Sequence, residues 1–224
     1  MKYLDLVILA GGKGTRIRDY TKNKPKPLAK IGDYVFLDLL LSNISKYHFR
    51  KIFILAGYKG DKIYKKYHNK NINFINIQCF VEKKPLGTGG ALKLIKKKLT
   101  NNFFVINGDT IADFNFYEML RVKKKKSAVI SLTKNPFSTI GNEIRNLTFD
   151  RKNLVKISYS KKNNFKSAGV CLISKSNLNV TSKSKFSLED NIILPLIKKK
   201  RVYAYSKNFF FYDIGTKNDF LKAK

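Results

Sequence analysis

The sequence contains few cysteines and few histidines, and this scarcity excludes several kinds of chemistry. Only two residues of each type occur among its 224 residues. Cys79 and Cys171 stand within apolar, strand-like runs, so we expect small buried side chains rather than a disulfide or a metal site. His48 and His68 have no catalytic motif beside them. No Ser-His or Cys-His arrangement for nucleophilic catalysis is visible.

Long apolar runs are also missing. No stretch approaches the roughly 18 apolar residues that read as a membrane-spanning helix. The first residues, Met1 to Tyr3, lead directly into a strand-like run, which is not the pattern of a signal peptide. We therefore expect no membrane insertion and a cytoplasmic location.

Acidic residues are scarce relative to basic ones, with 15 Asp and Glu against 46 Lys and Arg and a formal net charge of +31. Such an excess is typical of proteins that bind nucleic acid or an anionic surface. Here it is mostly lysine, in patches at 96–98, 123–126 and 198–201, where predicted helices end and positive charge is favourable. A bias toward lysine and asparagine explains the pattern without a specific nucleic-acid partner. A basic, non-enzymatic binding module, whose affinity would fall steeply with salt, stays as the alternative from another class.

Apolar runs alternate with helical patterns, and this alternation predicts βαβ units. The predicted strands are 4–9, 52–56, 74–80, 103–106, 128–132, 144–149, 154–159, 169–173, 202–205 and 209–211, and the predicted helices are 35–44, 61–68, 88–99 and 188–199. The sequence thus predicts an α/β fold whose mostly parallel, Rossmann-like central sheet is flanked by helices. Beyond residue 126 strands predominate, which indicates a smaller, mixed, β-rich extension.

A glycine-rich turn, Gly11 to Arg16, follows the first predicted strand. Glycines let a ligand approach the main chain, and open α/β sheets bind phosphates at the carboxyl ends of their strands. The spacing excludes two familiar loops. The dinucleotide fingerprint needs a further glycine three residues after Gly14, and a Walker loop needs Gly-Lys-Ser/Thr. Considered alone, this segment is equally compatible with an ordinary βα turn that binds no phosphate.

Three charged residues could act beside this turn. Lys26 stands between Pro25 and Pro27, which stiffen the backbone and hold the ammonium group ready for a phosphate. Asp109 and Asp213 each follow an apolar strand, and a carboxylate together with substrate phosphates is the usual way of binding Mg²⁺. A solvated loop lysine and two turn or N-cap aspartates are the alternatives.

The residues that carry a family resemblance are collinear over nearly the whole chain. They form five segments: 9–16, 25–28 (Pro-Lys-Pro-Leu), 82–91 (Glu-Lys-Lys-Pro-Leu-Gly-Thr-Gly-Gly-Ala), 107–109 (Asn-Gly-Asp) and 213–216 (Asp-Ile-Gly-Thr). In this order they resemble the sugar-1-phosphate nucleotidyltransferases. Within that family, the short form and the run at 85–91 are most similar to the branch that transfers GMP from GTP to a heptose 1-phosphate. Mannose or glucose 1-phosphate, with GTP or UTP, is the alternative.

The resemblance implies one domain, 1–224, with a nucleotide-binding half at 1–126 and a sugar-phosphate-binding half at 127–224. It also implies roles for individual residues. Catalysis would fall to Arg16, Lys26 and Asp109, and Mg²⁺ would be held by Asp109 and Asp213. The nucleotide would meet Leu9, Ala10, Gly11, Gly12, Gly14, Thr15, Glu82, Pro85, Gly87, Thr88 and Gly108. The sugar would meet Gly141, Ser167, Ala168, Gly169 and Glu189. The sequence leaves open whether the protein is a homo-oligomer.

Elementary electrostatics agrees with this chemistry. An anionic sugar phosphate must approach an anionic triphosphate, and two like unit charges about 4 Å apart repel by roughly 4 kcal/mol at an effective dielectric constant near 20. Arg16, Lys26, Mg²⁺ and the backbone amides of the turn would all oppose that repulsion. Positioning and electrostatics can then carry the transfer without a protein nucleophile.

Overall fold

A computed structural model describes residues 1, 3–17, 20–21, 23–134, 146–158, 165–207 and 209–223. The strands are β1 Asp5–Ala10, β2 Lys30–Ile31, β3 Tyr34–Val35, β4 Lys51–Ala56, β5 Asn71–Ile72, β6 Ile75–Val81, β7 Asn102–Asn107, β8 Thr110–Ala112, β9 Ala128–Thr133, β10 Leu147–Phe149, β11 Val155–Ile157, β12 Lys166–Ser174, β13 Val202–Tyr205 and β14 Phe211–Asp213. The α-helices are α1 Phe36–Ser45, α2 Gly60–Tyr67, α3 Gly87–Leu94, α4 Phe116–Val122, α5 Leu194–Lys198 and α6 Lys217–Ala223.

Eight of these strands form one sheet in the order β13-β9-β12-β7-β1-β4-β6-β5. β1 is parallel to both β4 and β7, and β12 is antiparallel to its two neighbours. The chain winds outward from β1 first through β4 and β6 and then, on the other side, through β7. The gap between β1 and β7 is therefore the point where the winding direction changes, and sheets of this kind bind ligands there.

Both faces of the sheet are covered, which explains the unbroken apolar runs in its strands. Leu6 and Ile8 of β1 pack into a core shared with α1, α2 and α4. Val7 points to the opposite face and packs with α3 and with residues that lead into α5. Successive side chains of β1 therefore pack into two different hydrophobic cores. This packing fixes the position of the carboxyl end of the strand.

The sequence-based prediction of a mostly parallel sheet flanked by helices is confirmed, and several boundaries differ. The predicted helix 88–99 ends at Leu94, and the lysines of 96–98 form a separate 3₁₀ turn that buries none of their side chains. The predicted helix 188–199 consists of a π-helical turn, Glu189–Ile193, followed by α5. The strand predicted at 209–211 is shifted to β14, because β14 pairs with β8. Neither α4 nor α6 was predicted from the pattern, because each spans only seven residues.

Of the six described strands after residue 126, three belong to the same sheet as the strands of the first half. β9, β12 and β13 continue the sheet beyond β7, whereas β10 and β11 form a separate two-stranded sheet. The buried side chains of β9 and β12 join the two main cores, which is why these strands add to the sheet. Residues 144–145 and 159 of the predicted strands lie outside the described residues. Among the described residues, no helix is both long enough and apolar enough to cross a membrane.

Candidate active site

The carboxyl ends of β1 and β7 bring the glycine turn and Asp109 together. Leu9 pairs with Asn107 across the two strands, and the amide of Gly108 donates to the carbonyl of Leu9 at 2.8 Å. A Cβ atom on Gly108 would lie only 2.9 Å from that carbonyl oxygen, so only glycine fits. The two chain segments that the sequence proposed for phosphate and metal therefore leave the sheet side by side.

Lys26 packs against the glycine turn. It begins a 3₁₀ turn, Lys26–Leu28, after the extended Pro25, and it is 8% exposed although it is a lysine. Gly14 adopts a positive φ of 59°, and a Cβ atom there would approach the Cβ of Lys26 to 3.2 Å. The proline segment that carries Lys26 and the glycine turn thus pack against each other.

The ammonium group of Lys26 lies within ion-pair distance of both predicted metal ligands. It donates a hydrogen bond to Oδ2 of Asp109 and is 3.8 Å from Oδ1 of Asp213. Asp213 reaches this place because β14 pairs with β8, which sets Asp213 opposite Thr110. Residues that are 83 and 187 positions apart from Lys26 in sequence are therefore gathered into one charged cluster beside the glycine turn. We call Lys26, Asp109 and Asp213 the charged cluster.

Asp213 is the buried carboxylate of this cluster. It is 5% exposed, and its Oδ1 is a buried oxygen without a hydrogen-bond partner. Burial raises the pKa of Asp213 to about 7, the negative charge of Asp109 adds to this, and Lys26 and a hydrogen bond from the backbone of Gly215 oppose it. A buried carboxylate oxygen with an unused lone pair beside a second carboxylate suits a divalent cation. The donor set therefore fits Mg²⁺ once substrate phosphates complete the ligands.

Glu82 borders the other side of the glycine turn. Its Oε2 accepts a hydrogen bond from the amide of Leu86 at 3.0 Å, and its Oε1 would lie 3.0 Å from a Cβ atom on Gly11. Burial raises the pKa of Glu82, and the hydrogen bond from Leu86 opposes the shift. The second glycine-containing loop therefore presents a carboxylate next to the first one. Pro85, in the same loop, is exposed.

Thr88 and Glu189 join this loop to the second half of the chain. The hydroxyl of Thr88 donates to Oε2 of Glu189 at 2.9 Å and accepts from the amide of Leu188 at 2.7 Å. Ser187 donates to the same carboxylate oxygen at 3.1 Å. The hydroxyl of Thr88 is thus engaged within the protein, and it positions Glu189.

Several of the predicted sugar-binding residues line one small pocket. A bulge in β12 shifts its register against β9 between Ser167 and Cys171, and Gly169 within it has a φ of 70°. The pocket is lined by Asn107, Ser167, Gly169, Glu189 and apolar neighbours. The side chain of Ala168 is fully buried in the core, which leaves only its backbone for a ligand. Gly141 lies outside the described residues.

Asn107 was not among the predicted site residues, although it ends β7 two residues before Asp109. A Cβ atom on Gly169 would lie 2.9 Å from Nδ2 of Asn107 and 3.1 Å from the hydroxyl of Thr110. The side chain of Asn107 therefore stands between the charged cluster and the small pocket. The signal available in the sequence was a polar residue at the end of an apolar strand. The orientation of the Asn107 side chain depends on the bulge in β12.

Packing also explains part of the second glycine motif. Cβ atoms on Gly89 and Gly90 would overlap with the ring of Phe186 and with the carbonyl of Ser184, and one on Gly87 would lie 2.6 Å from the carbonyl of Phe186. Because these glycines have no side chains, the segment 184–187, which precedes Glu189, can pack against them. Gly12, Thr15 and Arg16 are exposed, and no heavy atom lies within 4 Å of a Cβ on Gly12.

Gly12 and Gly89 offer a matched pair of substitutions. We expect Gly89→Ala to lower the free energy of unfolding by about 1–3 kcal/mol, because the added methyl group meets the ring of Phe186. Gly12→Ala should change it by less than about 0.5 kcal/mol and yet slow turnover, because the methyl group enters the space offered to a phosphate. Urea unfolding and steady-state rates check both. Equal loss of stability in the two variants would contradict this assignment.

Comparison with known proteins identifies the family of the chain. A family model described as nucleotidyl transferase matches residues 6–138, and the chain belongs to that family. A D-glycero-alpha-D-manno-heptose 1-phosphate guanylyltransferase from Campylobacter jejuni is 32% identical over 97% of both chains. Another protein of that name, from Aneurinibacillus thermoaerophilus, is 29% identical over 99% of this chain and 97% of its own.

A solved structure resembles the fold throughout. HddC from Yersinia pseudotuberculosis, complexed with GMP-PN, superimposes with a TM-score of 0.78 at 27% identity, covering 98% of this chain and 97% of that one. The family match includes the glycine turn, Lys26 and Asp109, whereas Asp213 lies beyond the matched residues. The full-length relatives extend the similarity to the second half of the chain.

Proposed function

We propose that the protein transfers GMP from GTP to D-glycero-α-D-manno-heptose 1-phosphate, forming GDP-heptose and pyrophosphate for surface polysaccharide precursors. The observation that carries the reaction type is the charged cluster beside the glycine turn. A buried lysine and two carboxylates beside bare backbone amides suit a highly charged phosphate substrate. The full-length guanylyltransferase relatives support the choice of base and sugar.

In the proposed reaction, an oxygen of the sugar phosphate attacks the α-phosphorus of GTP. A new P–O bond forms there as the bond between the α-phosphorus and its bridging oxygen to the β-phosphate breaks, and pyrophosphate leaves. The attacking oxygen is already an anion, so no general base is needed. Arg16 and the amides of the glycine turn hold the triphosphate, and Lys26 offsets charge where the two anions meet. Mg²⁺, held by Asp109 and Asp213, would supply further charge neutralisation at the phosphates.

Glu82 supports guanine as the base. The Watson–Crick edge of guanine carries two adjacent donors, N1–H and the N2 amino group, and a carboxylate accepts from both. Uracil carries a single N3–H between two carbonyl oxygens, and a carboxylate would repel those oxygens. The position of the Glu82 carboxylate against Gly11 places an acceptor beside the loop that would hold the base.

We expect Glu82→Gln to lower kcat/KM for GTP by about 10- to 100-fold, the equivalent of roughly 1–3 kcal/mol. Glutamine keeps a carbonyl oxygen for the amide of Leu86, so the loop should persist while the paired acceptor for guanine is lost. Glu118→Gln, at a half-buried residue of α4 that pairs with Lys207, is the control. Unchanged kcat/KM in Glu82→Gln would show that Glu82 does not read the base.

A substrate panel tests the whole proposal. Each of GTP, UTP, CTP, ATP and TTP is incubated with heptose, mannose or glucose 1-phosphate, and pyrophosphate release is measured. We expect the highest kcat/KM for GTP with the heptose 1-phosphate. High turnover with UTP and only background with GTP would overturn the guanylyl assignment, and a preference for mannose 1-phosphate would overturn the assigned sugar.

A further inference from the structure

A second charged concavity lies at the edge of the sheet opposite the charged cluster. It is an open cleft of about 790 Å³. Its walls come from the residues that precede β7 and β9 and those that follow the antiparallel β12. All three segments lie at the amino-terminal edge of the parallel strands. We call this concavity the lysine cleft.

Six lysines line the lysine cleft, at positions 96, 123, 124, 125, 126 and 175. Among the described residues, no carboxylate lies within ion-pair distance of any of these six. The lining contains no Asp or Glu, and it contributes hydroxyl and amide groups from Asn101, Asn102, Ser174, Ser176 and Asn179. The cleft therefore concentrates positive charge without an internal counter-charge.

Lys123 is held in place at the inner side of the cleft. Its ammonium group donates to the hydroxyl of Ser174 at 3.1 Å and to the carbonyl of Lys124 at 3.0 Å, and Ser174 donates in turn to Oδ1 of Asn102 at 2.9 Å. Burial lowers the pKa of Lys123, because its partners are neutral and do not repay the desolvation of the charge. An anion in the cleft would provide the missing counter-charge.

The lining also indicates which anion fits. None of the described lining residues is aromatic, and Leu120 is the one large apolar side chain among them, so the cleft has no platform on which a nucleobase could stack. Ammonium, hydroxyl and amide donors suit phosphate oxygens that are presented from several directions. We propose that the lysine cleft binds a condensed inorganic phosphate, such as pyrophosphate, tripolyphosphate or a longer polyphosphate chain.

The test compares two variants that lose the same charge. Lys124, Lys125 and Lys126 are exposed on the rim of the cleft, and all three are changed to glutamine in the cleft variant. In the control variant, Lys62, Lys65 and Lys70, which are exposed on and after α2, are changed to glutamine. Binding of pyrophosphate, tripolyphosphate and long-chain polyphosphate is measured by calorimetry at about 0.15 M salt, where exposed charges more than roughly 8 Å apart are largely screened.

We expect the cleft variant to bind tripolyphosphate at least 10-fold more weakly than the unchanged protein, and the control variant to stay within 2-fold. Any binding at the active site is common to all three proteins, so the difference reports the cleft. Tighter binding of the long chain than of pyrophosphate would identify the polymer as the ligand, and the reverse order would identify the short anion. Nucleotidyl transfer by the cleft variant should be unchanged, which separates this proposal from the proposed function.

Two results would overturn the proposal. Equal affinity of the cleft variant and the unchanged protein would show that the cleft does not bind condensed phosphate. Equal weakening in both variants would reduce the effect to net charge. Binding of an RNA hairpin is measured as well. If the unchanged protein binds the RNA but not tripolyphosphate, and the cleft variant loses the RNA binding, the cleft is assigned to nucleic acid instead. Circular dichroism checks that both variants are folded.

Discussion

Lys26→Met should lower kcat by about 100- to 1,000-fold, which is the scale expected when a preorganised electrostatic contact is removed from a transition state. The ammonium group of Lys26 is the one cation seen within ion-pair distance of both Asp109 and Asp213 among the described residues. Its loss removes a positive charge from the place where the two anionic phosphates would meet. Pyrophosphate release under saturating substrates measures the effect.

The same substitution also leaves two carboxylates facing each other, so folding must be measured alongside activity. Removing one partner of a largely buried ion pair can cost several kcal/mol, although Asp109 is partly exposed and the cost is reduced accordingly. Lys30→Met, at an exposed lysine on β2, is the matched control and should keep full activity. A folded Lys26→Met protein that retains more than a tenth of the turnover would contradict the role of Lys26.

Asp213→Asn should abolish metal-dependent turnover and, without a metal, make the protein more stable at neutral pH. Burial and the charge of Asp109 raise the pKa of Asp213 to about 7 in the folded state, against an unfolded value near 3.9. Between these two values the folded state binds more protons, so the free energy of unfolding falls as pH rises from about 4 to about 7. At about 1.4 kcal/mol per pKa unit, the titration of Asp213 lowers the free energy of unfolding by an amount on the order of a few kcal/mol over this pH range.

Urea unfolding in the presence of EDTA, from pH 4 to pH 8, tests this second prediction. The unchanged protein should lose stability over that range more steeply than Asp213→Asn, because asparagine does not titrate. Added Mg²⁺ with the triphosphate should stabilise the unchanged protein at pH 8 and stabilise the variant less, since a ligand raises the free energy of unfolding more when it binds the folded state more tightly. Identical pH profiles for the two proteins would show that Asp213 is not held as a buried carboxylate.

The residues of the candidate site could be proposed from the sequence because their motifs are local, and two of these motifs follow the ends of strands. The glycine turn follows β1 and Asp109 follows β7, and these two strands are neighbours in the sheet. Lys26 was recognisable from its two flanking prolines. Local backbone chemistry thus marked the residues, and the topology of a parallel sheet brought them to one edge.

The remainder depended on contacts between distant segments. The link between Thr88 and Glu189 spans 101 residues, and no local pattern marks it. The glycines at 89 and 90 resemble a ligand loop in the sequence, yet the structure accounts for them by the packing of the 184–187 segment. The lysine patches at 96–98 and 123–126 looked like independent helix ends, and only the fold brings members of both into one cleft.

The central claim is that the charged cluster supports direct transfer from GTP to a sugar phosphate, with no covalent intermediate on the protein. The stereochemical course at the α-phosphorus tests this most directly, using GTP made chiral at that atom by sulfur substitution. A single in-line displacement inverts the configuration, and inversion is the result that we predict. Retention would contradict the account, because it would require two displacements and a protein side chain that carries the GMP group between them.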